Sequence, residues 1–184
     1  MKHLQDPRRL DIAAFAKEGA NLIGEERLAK FARLVEESQG VGVENLLHFE
    51  AQGSVKSDAA GVDEAWVHLA AHATIALTCQ RCMGPVDVEV QFVRDFRFVA
   101  TEELAEIEDE ESDEDVLVLS RTFDLMELAE DELLMDMPTA PKHEVCPRPV
   151  KMSAADAGFV AEETEKPNPF AVLGKLKKDG LGDS

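Results

Sequence analysis

Three stretches of the chain alternate regularly between apolar and polar side chains. They cover residues 43–51, 65–77 and 86–98. In the middle stretch one parity is entirely apolar, comprising Ala65, Val67, Leu69, Ala71, Ala73, Ile75 and Leu77. Because successive side chains of a β-strand point to opposite faces, this alternation predicts three half-buried strands. Only a short turn separates the last two stretches, which predicts an antiparallel hairpin.

Apolar residues recur at helical spacing in two other places. Over 25–36 they form one face of an amphipathic helix, comprising Leu28, Phe31, Ala32 and Val35. A second helix is predicted over 124–135, where Asp124 can act as the N-cap and Glu127 as its capping-box partner three residues later. Pro138 cannot continue a helix and therefore marks the end of this segment.

The remaining segments complete an α+β fold. Residues 116–119 predict one more short strand, 10–24 suit either a short helix or a strand, and the prolines of 138–150 predict an extended, irregular strap. We therefore expect a single domain over 1–150, in which an antiparallel sheet has helices packed on one face. Residues 151–184 are expected to form an extended, flexible tail.

Acidic residues dominate the charge of the chain. The formal net charge is −19, and residues 102–115 contribute ten acidic side chains and no basic one. A block of like charge repels itself and has little apolar surface to bury, which predicts a disordered loop that is either simply solvated or docks a basic partner. The net negative charge disfavours general binding to nucleic acid, whose phosphates attract Lys and Arg, and favours basic proteins as partners.

The sequence favours a cytoplasmic protein with reduced thiols. Its cysteines are odd in number, its first residues contain no secretory signal, and no apolar run is long enough to cross a bilayer. We therefore expect no disulfide framework and no membrane partner. Because the sequence carries no nucleophile-elbow, phosphate-loop, dinucleotide or zinc-protease motif, we expect neither an enzyme nor a small-molecule substrate.

The sharpest local feature is the pair Cys79 and Cys82, which lies in the turn of the predicted hairpin. Two thiolates at this spacing can bind one tetrahedral zinc ion, and His143 with Cys146 supplies a second pair at the same spacing. The four side chains would form a three-cysteine, one-histidine set, which is typical of structural zinc sites. Two other interpretations stay open: unligated thiols, or redox chemistry, although a redox CxxC usually lies at a helix N-terminus.

Other titratable groups give weaker signals. His68 and His72 lie four positions apart on one strand, a separation of about 13 Å that is too long for a shared metal. Together with His48 they are expected to be surface histidines. The acids at 130–132 are expected to form a solvated helical face, since no nucleophile or pocket glycine accompanies them.

Three separated blocks of the sequence follow one another in a recognisable order and spacing. They are LTCQRC at 77–82, EDELL at 130–134 with Met137, Pro138 and Cys146 after it, and KPNPFAVL at 166–173. Together these blocks resemble the YceD family of large-ribosomal-RNA accumulation proteins. Many relatives carry further cysteines after the proline segment, where this chain has only Cys146, with His143 as a candidate substitute.

The resemblance implies a non-enzymatic factor for synthesis, processing or accumulation of the large-subunit rRNA in bacteria. Its expected partners are basic ribosomal or assembly proteins of the large subunit, so that its link to rRNA would be indirect. The candidate partner-binding residues are Arg81, Lys166, Pro167, Asn168, Pro169 and Phe170. Two alternatives are a zinc-binding protein that contacts rRNA directly through Arg81 and the lysines of 175–178, and a CxxC thiol redox protein.

Overall fold

One five-stranded sheet organises the part of the chain that the structure describes. A computed structural model of the protein describes residues 5–57, 61–109, 112 and 114–148. Its elements are α1 (Ile12–Lys17), β1 (Asn21–Arg27), a 3-10 turn (Leu28–Lys30), α2 (Ala32–Glu37), β2 (Leu46–Ser57), β3 (Asp63–Thr78), β4 (Pro85–Val99), α3 (Glu102–Asp109), β5 (Asp115–Val118) and α4 (Leu125–Met135). The strands lie in the order β1-β2-β3-β4-β5.

The first four strands form an antiparallel meander, in which each strand pairs with the next along the chain. The predicted hairpin is confirmed, because β3 and β4 pair continuously from Ala65 opposite Phe98 to Thr78 opposite Pro85. β5 confirms the predicted fourth stretch of strand, but it pairs with β4 in parallel. A parallel pair needs a crossover connection, and α3 lies within it.

The main core lies on one face of this sheet, under α1, α2 and α4. The predicted inward parity of β3 is confirmed, since Leu69 and Ile75 are fully buried. Phe15 of α1, Leu34 of α2 and Leu133 of α4 belong to the same apolar cluster. The α+β class, with helices packed against one face of a mostly antiparallel sheet, is therefore confirmed.

The helix predicted over 25–36 is wrong in its first half. Residues up to Arg27 belong to β1 and pair with β2, and a 3-10 turn follows them. Only the last part is α-helical, and its buried side chain is Leu34 rather than Val35. The buried positions in this segment are three apart, at Leu28, Phe31 and Leu34. This spacing suits a 3-10 turn that leads into a short helix as well as it suits a continuous α-helix, so the pattern alone does not distinguish the two structures.

The disordered loop predicted over 102–115 is wrong for its first eight residues, which form α3. α3 lies at one end of the sheet on the face opposite the main core. Its contact there is a small apolar cluster of Val99, Ala105, Val116 and the partly buried Val118. Glu108 also forms an ion pair with Arg97 of β4. Acidic composition alone does not indicate these tertiary partners. Of the remaining loop positions, 110, 111 and 113 lie outside the described residues, and Asp115 begins β5.

The second helix begins where the sequence predicts. The Asp124 carboxylate accepts hydrogen bonds from the backbone N–H groups of Met126, at 2.9 Å, and Glu127, at 3.0 Å. These bonds satisfy two N–H groups that a helix start leaves without intrahelical partners, so the N-cap role of Asp124 is confirmed.

The acids at 130–132 do not form the solvated face that the sequence predicts. Glu130 and Glu132 are only 8% and 5% exposed. Glu130 and Asp131 both form ion pairs with Arg33 of α2, and Glu132 lies 2.6 Å from Arg94 of β4. Burial raises the pKa of Glu132, and the Arg94 guanidinium opposes that shift. These acids therefore join α4 to α2 and to the sheet.

The chain after α4 is irregular, as its prolines predict. From Pro138 to Arg148 it contains neither helix nor strand. The predicted tail over 151–184, including the block 166–170, lies outside the described residues. None of the helices in the described ranges is both long enough and apolar enough to cross a bilayer.

The segment 10–24, which suits either a helix or a strand, contains both α1 and the start of β1. The Asp11 carboxylate caps α1 by accepting from the N–H of Ala14 at 3.1 Å. α1 lies so close to β2 that a Cβ atom at Gly53 would be 2.5 Å from the carbonyl oxygen of Phe15. Real Cβ atoms essentially never come so close to another atom, so only glycine fits at position 53 without a backbone shift.

Gly53→Ala is therefore expected to lower the free energy of unfolding by about 1–3 kcal/mol, because two backbone segments would have to separate. Ser54→Ala, at the neighbouring position, is the control and should change the stability by less than about 0.5 kcal/mol. Urea denaturation measures both values. A Gly53→Ala protein with the midpoint of the wild type would show that α1 can move away from β2 without cost.

Candidate metal centre

The turn between β3 and β4 positions the first two cysteines. The N–H of Cys79 donates to the carbonyl of Gly84 at 2.8 Å, and the N–H of Met83 donates to the carbonyl of Cys79 at 2.9 Å. Met83 adopts a positive φ of 58° to close this turn. Cys79 is fully buried and Cys82 is half-buried, so the turn holds both thiols at the end of the hairpin.

The irregular strap after α4 brings the other two candidate ligands to this turn. Its anchor is a backbone hydrogen bond from the N–H of Gln80 to the carbonyl of Pro141 at 2.8 Å. His143 and Cys146 follow along the strap and are both half-buried. One donor atom from each of Cys79, Cys82, His143 and Cys146 lies within 4.8 Å of all the others. The structure thus brings together the four side chains that the sequence paired by spacing.

Two of the separations between donor atoms match a tetrahedral zinc site. The Sγ atoms of Cys79 and Cys146 are 3.9 Å apart, and Cys82 Sγ is 3.5 Å from Nδ1 of His143. With Zn–S bonds of about 2.3 Å and a Zn–N bond of about 2.0 Å, a regular tetrahedron has S–S edges of about 3.8 Å and S–N edges of about 3.5 Å. Three thiolates and one imidazole are also a usual donor set for structural zinc.

The pKa values of two thiols move in opposite directions. Burial opposes ionisation of Cys79, but hydrogen bonds from the backbone at Cys82, His143 and Arg81 outweigh it and lower the pKa of Cys79 to about 5. A backbone hydrogen bond at Gly84 favours the thiolate of Cys82, yet burial and the neighbouring thiols Cys79 and Cys146 raise the pKa of Cys82. Neighbouring thiolates repel one another, and a bound divalent cation would offset this repulsion.

Arg81 connects the turn to the strap. Its Nε donates to Cys146 Sγ at 3.0 Å, and its Nη2 donates to the carbonyl oxygens of His143, at 2.6 Å, and Glu144, at 3.1 Å. The contact with Cys146 raises the pKa of Arg81. The sequence did not indicate this role, because the partners lie more than 60 positions away. The partner-binding role expected for Arg81 stays a prediction.

Three other histidines in the described ranges, His48, His68 and His72, lie on the side of the sheet opposite the main core. His48 and His72 stack on neighbouring strands, with ring centroids 5.0 Å apart. His68 is paired with Asp95 at 2.8 Å. In the part of the chain that the structure describes, one group of three or more Cys, His, Asp or Glu side chains is placed to share a metal ion. It consists of Cys79, Cys82, His143 and Cys146. The stacked pair was missed because its members belong to different strands.

A family model described as large ribosomal RNA subunit accumulation protein YceD matches residues 67–177, which is more than half of the chain. The chain belongs to the YceD family. The match begins inside β3 and therefore includes the CxxC turn, β4, α4 and the strap, but neither β1 nor β2. No solved structure matches the chain.

Membership of the YceD family indicates a role in the accumulation of large-subunit ribosomal RNA. The YceD description names an RNA product that accumulates and not a chemical reaction. Two of the three sequence blocks that resemble the family lie near each other in the structure. Leu77, Thr78 and Gln80 line the same cavity as Leu134 and Met137. The family match also covers the third block, at 166–173, outside the described residues.

Proposed function

We propose that this protein is a non-enzymatic cytoplasmic factor that supports the synthesis, processing or accumulation of large-subunit rRNA by binding a basic protein of the large subunit or of its assembly. The family match over residues 67–177 is the observation that carries the proposal. The formal net charge of −19 supports a basic protein, rather than RNA, as the direct partner. Such a partner would otherwise bind RNA phosphates at unsuitable places.

Zinc has a structural role in this proposal. Cys79, Cys82, His143 and Cys146 would hold the ion, whose chemistry here is to cross-link the hairpin turn to the strap. Four protein ligands fill a tetrahedral ion and leave no open position for a substrate, which favours structure over catalysis. Arg81 would balance part of the negative charge that three thiolates place around the ion.

The two alternatives have less support. In direct binding to rRNA, Arg81 would have to give up three contacts that it makes with the strap. A thiol redox protein normally has its CxxC at a helix N-terminus, whereas this CxxC lies between two strands. Cys79 is also fully buried, so that a second protein thiol has no path to it in this conformation.

The tail provides the test of function. Its block KPNPF combines two prolines, which reduce the entropic cost of ordering, with Phe170 as an apolar anchor. In cells that lack the intact gene copy, protein truncated after Glu165 is expected to stay folded but to fail to restore large-subunit rRNA. The ratio of large to small rRNA measures the effect, and circular dichroism of the purified protein checks the fold.

Two point variants make this test finer. Phe170→Ala removes the proposed anchor, whereas Phe159→Ala removes the same side chain elsewhere in the tail and serves as the matched control. Only Phe170→Ala should lower the rRNA ratio. Full restoration by the truncated protein, or equal effects of the two variants, would contradict a docking role for this block.

A further inference from the structure

The side of the sheet opposite the main core carries a distinct set of residues. Ladder partners share a face of a sheet, so the registers define this side from β1 to β4. We call it the open face, and it comprises Ile23, Glu25, His48, Glu50, Gln52, His68, Ala70, His72, Gln91, Val93 and Asp95. Among the described elements, α1, α2 and α4 pack on the other side, and α3 lies against β4 and β5 at one end.

One row across the open face consists of three apolar side chains and Glu50, and we call it the apolar row. The register places Ile23, Glu50, Ala70 and Val93 side by side on four successive strands. Ile23 is 70% exposed and Val93 is 67% exposed. Single exposed apolar residues are normal, but this row spans about 14 Å across three strand spacings. It lines a shallow depression of about 270 Å³ together with the stacked pair of His48 and His72.

The polar residues around this row are acidic or neutral. Glu25 lies 3.6 Å from Nδ1 of His48, Asp95 lies 2.8 Å from Nδ1 of His68, and Glu50 accepts from Asn21 at 3.2 Å. None of the residues that define the open face is Lys or Arg. On the same side of the sheet, Arg27 and Lys56 lie near the ends of their strands, and Arg97 is paired with Glu64 and Glu108. A surface of this composition repels phosphate and attracts ammonium and guanidinium groups.

We propose that the open face binds an extended, Lys- and Arg-rich polypeptide segment with intervening apolar side chains. The apolar row would contact those apolar side chains, and Glu25, Glu50 and Asp95 would pair with the basic ones. The proposal rests on the proposed function only for the basic character of the partner. α3 is the competing surface, since it also combines acids with the exposed Ile107, but it is only eight residues long.

Two variants of the full chain with equal changes separate these surfaces. The open-face variant carries Glu50→Gln, Val93→Ser and Asp95→Asn. The control variant carries Glu102→Gln, Glu106→Gln and Ile107→Ser on α3. Each removes two negative charges and one exposed branched apolar side chain. Because all six positions are exposed, both proteins should keep the wild-type melting temperature.

The probe is a fluorescein-labelled peptide of sixteen residues with the repeated sequence Arg-Lys-Val-Thr, in which Arg and Val share one face of an extended chain. We expect the open-face variant to weaken its binding about tenfold and the control variant less than about twofold, because only the open face places its charges beside the apolar row. Amide chemical shifts should change in β1 to β4. Absence of peptide binding to the wild type, equal weakening by both variants, or shifts confined to α3 would each overturn the proposal.

An RNA arm distinguishes the other class of partner. A labelled fragment of large-subunit rRNA should not shift the amides of the open face, and competition between this RNA and the peptide for the open face would overturn the assignment. These readouts are made in vitro. A failure of the wild-type gene to restore rRNA in cells would contradict the proposed function, and it would not alter the peptide result.

Discussion

Cys79→Ser is expected to release the proposed zinc ion and to lower the melting temperature by about 10 °C or more. Cys79 is the fully buried member of the group, and its Sγ lies 3.9 Å from that of Cys146. A serine hydroxyl is a poor zinc ligand at neutral pH, so the substitution removes a coordination bond from the most enclosed position. Without the ion, the strap would keep its hydrogen bonds to the turn and the packing of the buried Pro141.

Metal analysis and thermal unfolding of protein purified without chelator measure this prediction. The wild type should hold about one zinc ion per chain. Val145→Ser is the matched control, since Val145 lies on the same strap but is 85% exposed. Wild-type protein free of zinc, with one melting temperature in the presence and absence of chelator, would show that the cysteines are ordinary thiols.

Arg81 provides a graded version of the same experiment. Arg81→Gln keeps all four ligands but removes the guanidinium next to Cys146. Loss of such an outer contact typically weakens metal affinity about 10–100-fold. Competition with a chromophoric chelator measures the affinity, and an unchanged value would assign Arg81 to the strap conformation alone.

Glu130→Ala is expected to lower the free energy of unfolding by about 2–4 kcal/mol. Glu130 lies on α4, yet its carboxylate caps α2: it accepts from the N–H groups of Arg33, at 2.8 Å, and Leu34, at 3.2 Å. Phe31 is the N-cap residue of α2, and its side chain makes no capping hydrogen bond. Alanine would leave two poorly solvated N–H groups without an acceptor and would remove a negative charge from the positive end of a helix.

The adjacent residue supplies the control for this substitution. Asp131 also pairs with Arg33, but its side chain is 45% exposed, and exposed ion pairs contribute about 1 kcal/mol or less. Asp131→Ala should therefore have a small effect, and Glu130→Gln, which keeps an oxygen acceptor, an intermediate one. Urea denaturation gives all three values. Equal losses for Glu130→Ala and Asp131→Ala would mean that charge alone, and not the cap, stabilises this contact.

The sequence predicted the parts of the fold that depend on neighbouring positions. β3 and β4 alternate over more than ten residues each, and Asp124 lies directly before an apolar helical pattern. The errors concern residues whose partners are distant. The role of Glu130 depends on backbone groups 97 and 96 positions away, and α3 depends on Arg97 and the small cluster around Ala105. No local pattern contains that information.

The candidate metal group was predictable because its ligands come as two pairs with the same spacing. Each pair places two ligands within one short turn, where both can bind the same ion. The pairs are Cys79 with Cys82 and His143 with Cys146. Their meeting in space was an expectation, and the structure brings them together. The surrounding contacts were not predictable, because Arg81 acts on carbonyl oxygens of the strap, and backbone atoms carry no sequence signal.

The arrangement of the ligands along the chain also sets an order in time. Cys79 and Cys146 are 67 positions apart, and β4, α3, β5 and α4 all lie between them. During translation at about 5–20 residues per second, the second half of the ligand set is made roughly 3–13 s after the first. In that interval a nascent chain offers an ion two thiolates instead of four ligands. Completion of the coordination sphere therefore has to wait for synthesis of the acidic α3 and of the helix that caps α2.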